Sequence, residues 1–218
     1  MSRVILVAGA AGPAGQAVVR RFEELGDTVI GVDRTGADGC LPVDLLDEQA
    51  VRDLAKRIGE QHGRVDGIVH LVGGWRGSKT FAETSLADWN LLHDLLVRTL
   101  QHVSLAFEPL LRASEDGRFV IVSAKAAQKP TQGNAAYATA KAAAEAWTLA
   151  FADALKGTAS AATILVVMAL VNDAMRAASP ERPFKGYTDV ATLAKAVSDL
   201  WDRRPEEVNG QRIDLTAS

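Results

Sequence analysis

The sequence predicts an α/β domain: one doubly wound parallel sheet of about seven strands with helices on both faces. Three observations predict it. Short apolar, β-branched runs alternate along the chain with amphipathic helical patterns. The first run leads into a glycine-rich turn that opens a helix. The runs read as continuously apolar, as expected for strands covered on both faces.

The elements follow in order. Val4 to Ala8 is the first strand, and Gly9-Ala10-Ala11-Gly12-Pro13-Ala14-Gly15 the turn. A helix follows with Val18, Phe22 and Leu25 on one face and Gly26 as its stop. Thr28 to Val32 is the second strand, ending at Asp33, and Leu41 to Asp44 a short third. Asp47 caps a helix carrying Val51, Leu54, Ala55 and Ile58 at helical spacing. Val65 to Val72 is the fourth strand, running into Gly73-Gly74-Trp75-Arg76-Gly77. Ser85 caps a long helix over 86–112, with Pro109 in its last turn. Asp116-Gly117 is a turn, Phe119 to Val122 the fifth strand, and 134–155 an alanine-rich helix. Thr163 to Leu170 is the sixth strand. Val171 to Tyr187, with Pro180, Pro183 and Gly186, is an irregular stretch placed to cover a substrate. Asp189 starts the last helix, with Leu193, Val197 and Leu200 inward, and Gly210 to Leu215 closes the sheet. The whole of 1–218 is expected to form one domain.

Composition removes several classes of function. A net charge of −3 offers no basic surface for nucleic acid or an acidic membrane. The single Cys40 excludes an internal disulfide. No apolar run is long enough to span a bilayer, and the Met-Ser-Arg start does not read as a signal peptide, so the expected location is the cytoplasm. His62, His70, His93 and His102 lack metal-ligand spacing with carboxylates or the cysteine, so no metal site is expected; His70 alone is placed near the cleft.

Two constellations carry chemistry. The strand–turn–helix–strand unit with its glycines ends in an acid. Glycines let the backbone approach a pyrophosphate held by the helix N-terminus, and Asp33 can accept hydrogen bonds from ribose hydroxyls. This is a Rossmann-type nucleotide unit, spaced G-x-x-G-x-x-G. Asp33 favours NAD(H), because its charge repels a 2′-phosphate; Arg34 could hold that phosphate, which leaves NADP(H) open. The second constellation is Tyr137 and Lys141, four apart on the alanine-rich helix and therefore on one face. An ammonium beside a phenol is expected to pull its pKa below the ordinary value of roughly 10, making a proton donor for a carbonyl or imine. Trp75 is read as exposed at the strand-end rim or stacked over a planar ligand, against the alternative of a ring folded onto the core. Trp89 and Trp147 read as helix-packing residues.

Over nearly its whole length the chain resembles the short-chain dehydrogenase/reductase family. The carriers are the glycine turn, Asp33, Asp44, Tyr137-x-x-x-Lys141 and Gly210-Gln211-Arg212-Ile213-Asp214-Leu215. The resemblance implies a nicotinamide cofactor, with Tyr137 as proton donor and Lys141 holding the nicotinamide ribose. It implies a cofactor site at Gly9, Ala11, Gly12, Pro13, Ala14, Gly15, Asp33, Arg34, Asp44, Leu45, Val72, Gly73, Gly74 and Leu170, completed by Tyr137 and Lys141. It also implies a homodimer or homotetramer through helices 86–112 and 134–155.

The departures from the commonest pattern are informative. The serine expected thirteen residues before the tyrosine is Ala124, and Ser123 is one residue early. Either a loop adjustment presents Ser123 as a catalytic donor or no serine takes part. Leu96 replaces an asparagine, and His70-Leu71-Val72-Gly73 replaces Asn-Asn-Ala-Gly. These features resemble the dihydropteridine reductase branch, which implies a small cyclic substrate such as a quinonoid dihydropterin. Trp75, Lys125 and Asn172 are the candidate substrate contacts. A carbonyl or quinone reductase, or a nucleotide-sensing module without turnover, are the alternative readings.

Overall fold

The computed structural model describes residues 2–216. The elements are β1 (Val4–Ala8), α1 (Pro13–Glu24), β2 (Thr28–Asp33), β3 (Leu41–Pro42), α2 (Glu48–His62), β4 (Gly67–His70), α3 (Leu86–His93), α4 (Thr99–Arg112), β5 (Gly117–Ala124) and α5 (Ala135–Ala154). They continue with β6 (Ser160–Val167), β7 (Leu170–Val171), α6 (Asp173–Ala178), β8 (Thr188–Asp189), α7 (Val190–Ser198), α8 (Pro205–Val208) and β9 (Arg212–Asp214).

Seven strands form one sheet in the order β3-β2-β1-β4-β5-β6-β9. Every pairing in it is parallel. The order reverses at β1, between β2 and β4, and that reversal opens a crevice at the strand C-termini. Strand alternation divides the core. Leu6, Ile68, Phe119, Ile121 and Ile164 pack with α2, α4 and α5. Ile5, Val7, Val69, Val120 and Leu165 pack with α1 and α7. Burying a side chain such as Phe22 or Phe107 contributes about 1.5–3 kcal/mol.

The caps fall where the sequence places them. Asp47 accepts from the Gln49 and Ala50 N–H groups, Ser85 from Asp88 and Asp189 from Ala191. Several boundaries move. The third strand is only Leu41–Pro42, and the fourth is Gly67–His70 rather than 65–72. The sixth lies earlier, at Ser160–Val167, and the closing strand is Arg212–Asp214. The fifth takes in Gly117 and runs to Ala124, which draws Ser123 into the strand. Leu25 caps α1 and is exposed rather than inward. Residues 171–187 are less irregular than expected. Leu170 and Val171 pair with Thr188 and Asp189, which pins both ends of the segment, and α6 lies between them.

The long helix keeps its course through Pro109 but widens at Asp94–Arg98 into a π-turn between α3 and α4. There the Thr99 N–H bonds back to the Asp94 carbonyl. The Leu95 carbonyl instead accepts the Thr99 hydroxyl at 2.8 Å. The turn thus fixes Thr99 Oγ1 with its proton already used.

Candidate active site

The crevice begins at the glycine turn. Gly9 has φ +82°, and a Cβ there would sit 2.9 Å from the Leu71–Val72 backbone. A Cβ on Gly15 would fall 2.3 Å from the Gly9 carbonyl oxygen. Gly12 differs: its φ is −73° and its hypothetical Cβ meets only the Gly9 oxygen, at 3.5 Å. Two glycines therefore serve the fold, and the third leaves open space. No side chain caps α1, in contrast to α2, α3 and α7, so the first-turn N–H groups of Ala14 and Gly15 have no side-chain acceptor. Asp33 is held at the end of β2, Oδ2 accepting from the Ala11 N–H at 3.3 Å and Oδ1 from the Arg34 N–H at 2.7 Å. An uncapped helix N-terminus, an open approach at Gly12 and a fixed carboxylate fit the pyrophosphate and ribose of a dinucleotide.

A cleft of about 450 Å³ runs from this turn. Gly9, Gly12, Asp33, Arg34, Asp44, Leu45, Val72 and Gly73 line it, so these sequence-predicted positions come together. Asp44 Oδ1 accepts from the Leu46 N–H, shaping the loop beside the cleft. Ala11, Pro13, Ala14 and Gly15 lie in the turn and first turn of α1 behind it, and Gly74 packs toward Leu95. Leu170 sits on β7. The sequence reading missed Leu91, Leu95 and Thr99, which form the far wall. Their i, i+4, i+8 stripe on one helix face was the available signal.

His70 joins this wall to α5. Its Nε2 lies 3.2 Å from Thr99 Oγ1, whose proton goes to Leu95. Nε2 must therefore carry the hydrogen, leaving Nδ1 a bare acceptor, and Nδ1 is buried without a partner among the described residues. Burial, with the Lys141 charge second, pushes the imidazole down to about 3.

Tyr137 packs against the buried cluster of Leu92, Leu96, Val97 and Ala140, on the helical stretch whose Leu91 and Leu95 wall the cleft, and neither Tyr137 nor Lys141 is among the residues that line it. Lys141 is buried, and its Nζ donates to the Val122 carbonyl at 2.7 Å and lies 5.9 Å from the Tyr137 ring centre. The expected lowering of the phenol is reversed. Burial raises Tyr137 to about 12, and burial lowers Lys141 to about 8 against the opposing pull of Glu145. Desolvation outweighs an ammonium whose hydrogen bond is turned toward β5.

One further expectation, a serine presented to the substrate, needs correction, and the structure places Lys125, Asn172 and Trp75 as follows. Ser123 is only 1% exposed and faces α5, donating to Glu145 Oε1 at 2.5 Å, so it is not presented to a substrate. Lengthening of β5 fixes that direction, since odd residues of the strand face α5. Lys125 pairs with Asp214 at 3.6 Å. Asn172 caps α6, its Oδ1 accepting from the Met175 N–H, and it neighbours Pro13 and Gln16. Trp75 is not folded onto the core: it is 62% exposed at the rim, with its ring against Gly77. Trp147 donates to Ser104 and ties α5 to α4. The described residues contain no cluster of potential metal ligands and no helix long and apolar enough to cross a membrane.

The comparisons with known proteins agree with this fold. The family described as short chain dehydrogenase matches residues 3–182. A benzil reductase ((S)-benzoin forming) of Saccharomyces cerevisiae is 31% identical over 163 residues, 66% of this chain and 62% of that protein. A dihydropteridine reductase of Dictyostelium discoideum is 28% identical over 146 residues, again 66% of this chain and 62% of that protein. The matched stretch thus spans under two thirds of either relative. Among solved structures, a short chain dehydrogenase from Pseudomonas syringae superposes with TM-score 0.84 at 25% identity, covering 97% of this chain and 94% of that one. One from Shigella flexneri, complexed with NADP, superposes with TM-score 0.83 at 23% identity, covering 97% and 96%.

Proposed function

Because this chain belongs to the short-chain dehydrogenase family, we propose that it reduces a small, planar, conjugated acceptor at the expense of a nicotinamide dinucleotide. The observation that carries the reading is the Tyr137–Lys141 pair on one face of α5, with Tyr137 packed on the helical stretch whose opposite residues, Leu91 and Leu95, wall the cleft that the glycine turn and Asp33 open. The dinucleotide, when bound, supplies the hydride. The rest falls to the chain. The start of α1 and the approach at Gly12 hold the pyrophosphate, and Asp33 accepts from the ribose hydroxyls. Lys141 provides the cation near the nicotinamide ribose. Tyr137, a phenol that keeps its proton across neutral pH, gives that proton to the acceptor.

Asp33 supports NAD(H) as the cofactor, because a 2′-phosphate would meet its carboxylate. Arg34, in the same cleft, is the residue through which NADP(H) would be accommodated. The relatives' names support a conjugated acceptor: a dihydropteridine in one, the aromatic diketone benzil in the other. We favour the quinonoid dihydropterin, since an easily reduced ring needs little activation and Ser123 supplies none. Carbonyl reduction is the second reading, supported by the 31% identity to the benzil reductase. We also propose self-association through helices 86–112 and 134–155, on which Leu105 and Leu149 are 56% and 46% exposed.

The test is NADH and NADPH oxidation with a quinonoid dihydropterin, benzil, a quinone and a simple ketone side by side. Turnover with the dihydropterin is expected. The variant Tyr137→Phe should lose about 100-fold or more while still binding NADH. No oxidation with any acceptor would favour a nucleotide-sensing role, and full activity in Tyr137→Phe would remove the phenol from the reaction.

A further inference from the structure

A buried carboxylate stands beside the pair without a role so far. Glu145 follows Lys141 by one helical turn on α5, on the face that carries Tyr137 and Lys141. Its Oε1 accepts from Ser123 Oγ at 2.5 Å, and the Arg212 Nε–H approaches its two oxygens at 3.3 and 3.1 Å. Arg212 also donates to the Ala124 carbonyl at 3.5 Å. Three successive residues at the end of β5 are thus each gripped: the Val122 carbonyl by Lys141, the Ser123 hydroxyl by Glu145 and the Ala124 carbonyl by Arg212.

Stability does not require such a set. A buried ion pair replaced by apolar groups of similar volume is often no less stable. The groups facing Lys141 show what the carboxylate adds. His70 comes from β4 as a neutral ring, and Tyr137 on the same helix is a protonated phenol. Arg212 arrives from β9 behind Glu145 as a competing cation. Glu145 is the anion that opposes the desolvation of Lys141.

We propose that Glu145 is a positioning residue: its carboxylate, fixed by Ser123 and Arg212, keeps Lys141 an ammonium at neutral pH and makes Ser123 scaffold rather than substrate contact. The inference rests on the role given to Lys141 above, and its test separates the two.

Lys141 is followed directly in the full chain by NMR of lysine labelled with ¹³C at Cε, the Lys141→Arg variant assigning the signal. Glu145→Gln keeps the shape and removes the charge, so the Lys141 midpoint should fall by about one pH unit. Glu145→Asp should restore most of it. Arg212→Gln removes the competing cation and should raise the midpoint, a change of opposite sign that loosened packing would not produce. Ser123→Ala loosens the carboxylate but leaves its charge in place, so it should shift the midpoint in the same direction as Glu145→Gln and by less than about 0.3. In Glu145→Gln the alkaline limb of the turnover profile should move to lower pH with the NMR midpoint. An unchanged Lys141 midpoint in both Glu145→Gln and Arg212→Gln overturns the proposal, as does a lowered Tm with no change of midpoint. A midpoint that moves while the turnover profile stays put leaves Glu145 in its role and refutes instead the part given to Lys141 in the reaction.

Discussion

The three glycines of the first turn separate fold from function in one experiment. In Gly15→Ala the added Cβ sits 2.3 Å from the Gly9 oxygen, 2.6 Å from Ala10 Cα and 2.7 Å from the Ala10 oxygen. These are backbone atoms, and the overlap with an ordinary contact of about 3.4 Å is about 1 Å. Overpacking of this kind costs about 1–3 kcal/mol, and rigid partners place it near about 3 kcal/mol. For a chain of this length about 1 kcal/mol moves Tm by about 2–4 °C, so a fall of about 6–12 °C is expected. In Gly12→Ala the Cβ meets one atom at 3.5 Å, and φ −73° suits alanine. The backbone gain of about 0.4–1 kcal/mol opposes a similar loss of capping preference, so Tm should stay within about 2 °C. The same methyl stands where a pyrophosphate would approach the start of α1. NADH affinity should fall about 10-fold or more, which corresponds to about 1.4 kcal/mol. Thermal melts and NADH titrations of both variants decide the matter. If Gly12→Ala binds NADH as the wild type does, the turn serves packing alone. If Gly15→Ala melts unchanged, the steric argument fails.

Three other outcomes are expected. His70 titrates near 6.5 when unfolded and about 3 when folded, so the unfolded chain binds the extra proton between those values. Its contribution is complete above 6.5 and is lost as pH falls toward 3, at up to about 1.4 kcal/mol per pH unit. Melts of His70→Gln from acid to neutral pH should show a flatter dependence, and an unchanged slope would show that other groups control acid stability. Asp33→Ser, with Arg34 retained, should shift the ratio of NADPH to NADH affinity by about 10-fold or more toward NADPH. Equal affinities before and after would place the ribose elsewhere. Glutamates at Leu105 and Leu149 together should reduce the mass seen by light scattering to that of one chain, and an unchanged assembly would rule out those faces as the interface.

The sequence by itself determined what local chemistry controls. Asp47, Ser85 and Asp189 announce helix starts because a short polar side chain can reach N–H groups two or three residues on. The apolar runs announce buried parallel strands, and the glycine turn with Asp33 announces the crevice at the strand ends, because those properties belong to neighbouring residues. Tertiary structure alone decided the direction and charge state of the groups around Tyr137. Ser123 meets Glu145 across 22 positions, and Glu145 meets Arg212 across 67. Pairings at that separation are set by how β5, α5 and β9 pack. The pairing of Tyr137 with Lys141 was legible from their spacing, but the sign of the phenol's shift was not. That sign depends on how much water the fold removes, and here burial outweighs the charge four residues away.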